Sequence, residues 1–181
     1  MTELSAGSNG DDLIRSMATK MGASFSTLLA PVVVSSRAAR DAFINEPSIG
    51  DVLKQAAHAD IAIVGIGSKR SSSTMDLLQS AGLPDETYDA LVHEMAGDMA
   101  ARIYDIDGKP LDHGWSDRII GVDLEQMHRI PYVIGIAAGA GKATGVIGAV
   151  RGGYVSEIVL SSSCALAILR YLDAEAGVKA S

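Results

Sequence analysis

The sequence predicts a single α/β domain built around a mostly parallel sheet, and three observations indicate it. The chain has 181 residues, which fits one domain. Hydrophobic residues make up 48% of it but aromatic residues only 4%, so the core must consist of aliphatic side chains. Two continuous apolar runs, at residues 60–68 and 132–138, alternate with segments of helical periodicity, which is typical of β-α-β units.

The first third of the chain is predicted to alternate between helices and short extended segments. A helix should run from Asp11 or Asp12 to Met21, where Gly22 ends it. Residues 25–29 read as a strand, with 32–34 as its extension or as a second strand. Further helices are expected over residues 36–45 and 49–59.

The rest of the chain contains the clearest strands. Residues 60–68 and 132–138 lack polar alternation, so both are predicted to be strands buried on two faces. A short hairpin is expected from residue 99 to 111, because Asp105–Gly108 is a turn signal. The remaining predictions are a helix at 88–97, a strand or turn at 119–122, helices at 124–130 and 143–151, a strand at 155–160 and a terminal helix at 165–174.

Charge and composition exclude several classes of function. The net charge is −7, and no basic stripe is available for phosphate backbones, so the chain should not bind nucleic acid by itself. Cys164, the one cysteine, rules out an internal disulfide and agrees with the reducing cytoplasm. No apolar run reaches the ~20 residues of a membrane span. The mean hydropathy of +0.21 then indicates a buried sheet and an oligomer interface.

Three predicted strands end in loops suited to an anionic ligand. These are Gly65–Ser68, Gly139–Lys142 and residues 161–163. If the strands are neighbours, the loops share one rim, where glycine N–H groups, helix starts and a lysine would bind a phosphorylated or carboxylated small molecule.

Each loop also has a plainer interpretation. Lys142 could be a solvated lysine at a helix start, and Gly65 and Gly67 a simple tight turn. Ser161–Ser163 could be only a helix cap, and Lys69 and Arg70 only solvated charges. The segment 139–142 matches neither a P-loop nor a dinucleotide fingerprint.

Catalytic groups are scarce in the sequence. Asp98 could bind sugar hydroxyls or act as a base, although a turn or hairpin start is slightly favoured. The four histidines lack metal-ligand spacing, and no Ser-His-Asp arrangement stands out. The sequence therefore predicts no catalytic residue, no metal and no cofactor.

Several short motifs, taken in order, resemble one family. They lie at residues 12–14, 29–31, 60–68, 96–98, 104–108, 120–124, 130–131 and 133–142. Together they resemble the effector domain of SorC-type, sugar-responsive transcription regulators of bacteria. The resemblance covers roughly residues 10–172, almost the whole chain.

The resemblance implies a three-layer fold with helices on both faces of the sheet, similar to glucosamine-6-phosphate deaminase and ribose-5-phosphate isomerase. It implies a non-catalytic domain that binds a phosphorylated sugar and oligomerises, while a separate helix-turn-helix binds DNA. It also implies that Lys142 faces the ligand. The pocket would be lined by Gly65, Gly67, Ser68 and Asp98, with Gly139 and Gly141 beside them.

The chain also departs from the family pattern. No helix-turn-helix precedes the domain, and the family's first strand with its Gly/Thr-rich loop is absent, so the chain is expected to be an excised fragment or a shortened protein. A partner chain would then have to cover any gap. Residues 1–10 are expected to be frayed and residues 11–175 to form the effector domain. Ser161 stands where the family tends to have an acidic residue.

Three functional hypotheses remain open at this point. The first is a cytoplasmic, effector-sensing domain of a transcription regulator. The second is an isomerase, deaminase or lyase acting on sugar phosphates, since one scaffold can carry many functions. The third is a truncated module that only dimerises.

Overall fold

The structure, a computed structural model, describes residues 10–70 and 72–179. The predicted frayed segment therefore lies almost wholly outside the described residues. The helices are α1 (Gly10–Met21), α2 (Arg37–Ile44), α3 (Pro47–Ala57), α4 (Ser72–Ser80), α5 (Asp85–Glu94), α6 (Leu124–Arg129), α7 (Ala143–Arg151) and α8 (Ser162–Lys179). The strands are β1 (Ile61–Gly67), β2 (Gly97–Met99), β3 (Arg102–Tyr104), β4 (Tyr132–Ala137) and β5 (Glu157–Leu160).

The five strands form one sheet in the order β3-β2-β1-β4-β5. β1, β4 and β5 are parallel neighbours, and the alternation of strands with helices had predicted parallel β-α-β units. β2 pairs antiparallel with β1 and with β3, so the hairpin extends the parallel core and makes the sheet mixed. The predicted α/β fold is confirmed.

Helices pack on both faces of the sheet around β3. Ile103 belongs to a cluster with α4 and α5, whereas Tyr104 belongs to a cluster with α6, α7 and α8. Since successive residues of a strand point to opposite faces, the two clusters lie on opposite sides. A third cluster joins α2, α3 and residue Ile120.

The central strands are buried on one face only, which corrects the prediction of doubly buried strands. In β1, Ala62 and Val64 pack against the core, while Ile61 and Ile63 remain 60% and 54% exposed. The burial of β4 alternates in the same way. The physical reason is that α6, α7 and α8 pack on one face of these strands. Among the described residues, no core cluster covers the other face.

The predicted strand at residues 25–29 does not form. A strand needs a partner for its backbone groups, and within the described chain this segment has none. Leu28 and Ala30 instead pack against the third cluster. Further along, Val33 forms an isolated antiparallel bridge with Ile119.

The hairpin region contains two turns where the sequence indicated one. Asp105 accepts hydrogen bonds from the N–H groups of Asp107 and Lys109, and Tyr104 bridges to Pro110, which confirms the predicted turn. A second turn at Ala100 and Ala101 separates β2 from β3, with φ of 49° and 62°. Alanine is unusual at such angles, so the sequence carried no signal for this turn.

In the part of the chain that the structure describes, no helix combines the length and the apolar character that crossing a bilayer requires.

A buried arginine organises the loop between β3 and α6. Arg102 is only 4% exposed, and its guanidinium donates to the carbonyls of Ser116, Ile119, Gly121 and Val122 over 3.0–3.4 Å. Five donors in a planar fork can bind several carbonyls at once, which an ammonium group cannot do in the same geometry. This arginine therefore holds the loop against the sheet.

Arg102→Lys should lower the free energy of unfolding by about 1–3 kcal/mol, because part of this donor set is lost and buried carbonyls remain unpaired. Urea unfolding measures the change. Arg129→Lys is the matched control, since Arg129 is 68% exposed and a surface ion pair contributes about 0–1 kcal/mol. Equal stability of Arg102→Lys and the wild type would contradict the role assigned to this arginine.

Candidate functional site

The three loops singled out by the sequence meet at one edge of the sheet. β1, β4 and β5 are adjacent and parallel, so their carboxyl ends lie side by side. The helices α4, α7 and α8 begin shortly after these ends. Three helix starts and three strand ends therefore form a single rim, which is where open parallel sheets bind ligands.

The loop after β4 is the centre of this rim. Gly139 has a φ of 95°, a conformation that favours glycine. Its N–H donates to Ser161 Oγ over 2.9 Å, which ties the loop to the end of β5. Ser161 Oγ also accepts from the N–H of Cys164, so it caps α8 as the sequence predicted. A 3₁₀ turn, Ala140–Lys142, then leads directly into α7.

The loop after β1 is held against the same turn. The buried Ser68 hydroxyl donates to the carbonyl of Gly141 over 2.8 Å and accepts from the N–H of Arg70 over 3.3 Å. A Cβ at Gly141 would lie 3.3 Å from the Cβ of Arg70. Arg70 therefore begins beside the glycine turn, and it is exposed, in agreement with its interpretation as a solvated charge.

Asp98 lies on β2 directly opposite the last residue of β1. It pairs with Gly67, and its Oδ1 accepts a hydrogen bond of 2.7 Å from Thr74 in the first turn of α4. A Cβ at Gly67 would lie 1.7 Å from Asp98 Oδ1, so only glycine leaves room for this carboxylate. Asp98 is the middle residue of β2, the first strand of the hairpin.

Electrostatics link Lys142 to this carboxyl group. Burial raises the pKa of Asp98, while the hydrogen bond from Thr74 and the charge of Lys142 act in the opposite direction. Burial also raises the pKa of the Cys164 thiol, again against the charge of Lys142. Within residues 10–70 and 72–179 the Lys142 ammonium forms no hydrogen bond or ion pair. A positive charge without a direct partner thus lies near a half-buried carboxyl group.

The raised pKa of Asp98 predicts a specific dependence of stability on pH. Because folding raises this pKa above its ordinary value of 3.8, the stability that Asp98 contributes is full below that pH. It is lost as the pH rises through the raised pKa. Asp98→Asn keeps an oxygen acceptor for Thr74, so it should match the wild type at about pH 4 and be more stable than the wild type at about pH 7.

Chemical unfolding of both proteins across this range measures the difference. The same substitution at the exposed Asp76, on the helix that carries Thr74, controls for the loss of one carboxyl group. An advantage of Asp98→Asn that is constant with pH would contradict the assigned burial of Asp98.

The structure therefore brings together most, but not all, of the candidate residues. Gly67, Ser68, Gly139, Gly141 and Lys142 lie on the rim, with Asp98 adjacent to Gly67. Gly65 lies inside β1, paired with Ile136, and is not part of a loop. The contact of Thr74 with Asp98 was missed, since a threonine one turn into a helix carries no distinctive signal.

Other parts of the described chain offer less chemistry. No group of three His, Cys, Asp or Glu side chains among the described residues could hold a metal ion. A cavity of about 460 Å³ lies away from the rim, between α2, α3 and the start of α6. The basic residues Arg40, Lys54 and His58 line it together with the acidic residues Glu46, Asp51 and Asp123, so its charges are mixed.

Comparison with known proteins identifies the family. Residues 2–170 match the Sugar-bind family model, described as "Putative sugar-binding domain". A crystal structure of such a domain from a transcriptional repressor of Vibrio fischeri superposes with a TM-score of 0.79 at 30% identity, covering 91% of this chain and 66% of that one.

Longer regulators match over the same region. The full-length sorbitol operon regulator SorC of Klebsiella pneumoniae has a TM-score of 0.74 at 26% identity, covering 86% of this chain and 49% of that one. The transcriptional regulator LsrR of Escherichia coli is 31% identical over 143 residues, which are 78% of this chain and 45% of LsrR. The chain thus spans less than half of LsrR.

The match to the family model spans nearly the whole chain, and the resemblance noted in the sequence is confirmed. The chain belongs to the family of sugar-binding domains found in SorC-type transcriptional regulators.

Proposed function

We propose that this chain is the effector-sensing domain of a DNA-binding transcriptional regulator, and that it binds a phosphorylated sugar at the rim of β1, β4 and β5. The proposal places the domain in the bacterial cytoplasm. It has no catalytic role. DNA binding belongs to a helix-turn-helix outside this chain. The names of the relatives support the regulatory role, and the geometry of the rim supports the class of ligand.

The phosphate group would lie over the glycine turn at the start of α7. Lys142 supplies a full positive charge, and the first N–H groups of α7 add the partial charge of a helix start. Arg70 begins beside Gly141 and can reach the same group from the loop after β1. Gly139 and Gly141 leave the backbone open to close approach. These features suit a doubly charged anion.

The sugar hydroxyls would face Asp98. Thr74 donates to Oδ1 and the backbone N–H of Ala101 also bonds to this carboxyl group, and a carboxylate has further acceptor sites for a hydroxyl group. A carboxylate beside a lysine requires a ligand that donates at one end and carries negative charge at the other. A phosphorylated sugar meets both requirements.

One observation carries the proposal: hydrogen bonds join the three loops into a single structure. Ser68 binds the carbonyl of Gly141, and Ser161 binds the N–H of Gly139. A ligand on the glycine turn would therefore act on the loops after β1 and β5 as well. If it prefers one arrangement of the subunits, it shifts the population toward that arrangement and changes the spacing of attached DNA-binding domains.

Thermal melting against a panel of sugar phosphates and the corresponding free sugars tests the proposal. A ligand at a hundredfold excess over its Kd stabilises by ~2.7 kcal/mol. For a chain of this size that should raise the Tm by about 5–10 °C. The unphosphorylated sugars should have little effect.

NMR spectra of the same ligands after incubation with the protein provide the second arm. Unchanged spectra support a non-catalytic domain, whereas conversion of any ligand would contradict it. The absence of a Tm shift with every phosphorylated sugar would contradict the whole proposal.

A further inference from the structure

The space beside Gly67 is filled by two side chains from other elements. A Cβ placed at Gly67 would lie 1.7 Å from Asp98 Oδ1 and 2.6 Å from Thr74 Oγ1. Gly67 is the last residue of β1, whereas Asp98 lies on β2 and Thr74 lies in the first turn of α4. A carboxyl group and a hydroxyl group therefore meet over the carboxyl end of β1, at the rim.

The packing of α4 fixes the position of the Thr74 hydroxyl group. Thr74 is only 6% exposed, and its hydroxyl donates to Asp98 Oδ1 over 2.7 Å. One turn further along α4, Leu78 is buried in the same cluster as Ile103 of β3. Ile103 pairs directly with Asp98, so both side chains project from one face of the sheet. α4 packs on that face and holds the threonine against the carboxyl group.

The hydrogen bond determines how Asp98 can bind a ligand. A donor at Oδ1 restricts the rotation of the carboxyl group. Burial, the largest influence, raises the pKa of Asp98, whereas the hydrogen bond from Thr74 and the charge of Lys142 lower it. An ionised carboxyl group only accepts hydrogen bonds, whereas a protonated one also donates. The threonine therefore favours a carboxyl group that is an acceptor of defined orientation.

We propose that Thr74 is a positioning residue, which orients the carboxyl group of Asp98 so that the site selects its ligand by a sugar hydroxyl as well as by the phosphate. This inference rests on the proposed function, in which a hydroxyl group binds Asp98 and the phosphate binds Lys142. Thr74 acts through Asp98 and is not itself a ligand contact. The affinity for inorganic phosphate, which carries no sugar hydroxyl, should therefore not depend on Thr74.

Isothermal titration calorimetry of the full chain with two probes tests the proposal. The probes are inorganic phosphate and the sugar phosphate of the melting panel that stabilises the chain most. Thr74→Val removes the hydroxyl and keeps the branched shape, so it should weaken the binding of the sugar phosphate by about three- to tenfold, the range of one hydrogen bond. The Kd of inorganic phosphate should not change. Thr74→Ser keeps the hydroxyl and should bind both probes as the wild type does.

A matched control and a second variant separate this role from a merely structural one. Thr19→Val also removes a bonded hydroxyl, since Thr19 donates to the carbonyl of Arg15. Thr19 lies on α1, which borders Ile61 at the amino end of β1, so both affinities should stay at the wild-type value. Thr74→Ala replaces the valine variant if thermal melting shows that the latter is unfolded. A general distortion of the rim would weaken both probes together.

The carboxyl ¹³C shift of Asp98, followed across pH, provides a readout that needs no ligand. Because the Thr74 hydroxyl lowers the pKa of Asp98, that pKa should be higher in Thr74→Val than in the wild type and unchanged in Thr74→Ser. Lys142 and Tyr104, which also interact electrostatically with Asp98, are present in all of these proteins.

The outcomes distinguish this inference from the proposed function. A wild-type chain that binds no sugar phosphate would overturn both. If the wild type binds one, and Thr74→Val weakens either both probes equally or neither, only the role of Thr74 is overturned. An Asp98 pKa that is equal in the wild type and in Thr74→Val would overturn that role as well.

Discussion

Lys142→Ala should weaken the binding of a phosphorylated sugar by about 10- to 100-fold, the equivalent of roughly 1.5–3 kcal/mol for a hydrogen bond to a charged group. The ammonium is half-buried at the start of α7 and has no direct partner among the described residues, so its removal should affect the ligand more than the fold. Isothermal titration calorimetry with the best ligand of the thermal panel measures the change.

Lys109→Ala is the matched control for this substitution. Lys109 is exposed in the turn after β3, and its backbone N–H, which binds Asp105, is unchanged by the substitution. We expect wild-type affinity for this variant. Should both variants bind equally well, Lys142 does not contact the ligand and the assigned site is wrong.

Gly145→Ala should lower the free energy of unfolding by about 3 kcal/mol, the upper end of the usual range for overpacking. This direction is opposite to helix propensity, which favours alanine over glycine by about 1 kcal/mol inside a helix. A Cβ at Gly145 would lie 2.1 Å from the carbonyl oxygen of Gly67, so α7 or the end of β1 must move. Denaturant unfolding measures the effect.

The control for this substitution is Gly177→Ala. Gly177 lies in α8, and no atom outside the helix backbone lies within 4 Å of a Cβ placed there. Only helix propensity distinguishes alanine from glycine at that position. The free energy of unfolding should therefore stay the same or rise by up to about 1 kcal/mol. A stabilising Gly145→Ala would contradict the close packing of α7 on the end of β1. Because Gly67, which Gly145 contacts, also faces Asp98, Gly145→Ala should weaken ligand binding as well.

The sequence predicted the elements whose pattern is local. Periodicity and flanking glycines mark three elements in the sequence, which are the strands β1 and β4 and the helix α7. The sequence placed the glycine loops on one rim on the condition that the three strands are neighbours, and the strand order meets that condition. The location of the rim could therefore be predicted from the sequence.

Features that depend on distant contacts could not be predicted. The hydrogen bond from Thr74 to Asp98 joins residues 24 positions apart, and neither residue type signals the other. The turn at Ala100 and Ala101 lacks the glycine or asparagine that usually marks such angles. The segment 25–29 has the composition of a strand, but strand formation requires a partner that the described chain does not supply.

The open face of β1 and β4 was missed for a related reason. A continuous apolar run indicates burial on both faces of a strand, but it does not show which part of the molecule buries the second face. In the described chain Ile61, Ile63 and Ile136 remain exposed on that side. The apolar runs therefore predicted more burial than the described residues supply.

Amide chemical shifts of the ¹⁵N-labelled chain during titration with a phosphorylated sugar test the central claim most directly. Our account predicts that the perturbed amides cluster in residues 67–70 and 139–145 and at Asp98, and that the free sugar perturbs the 139–145 group less. Perturbations centred on Arg40, Lys54 and His58, in the cavity beside α3, would contradict the account.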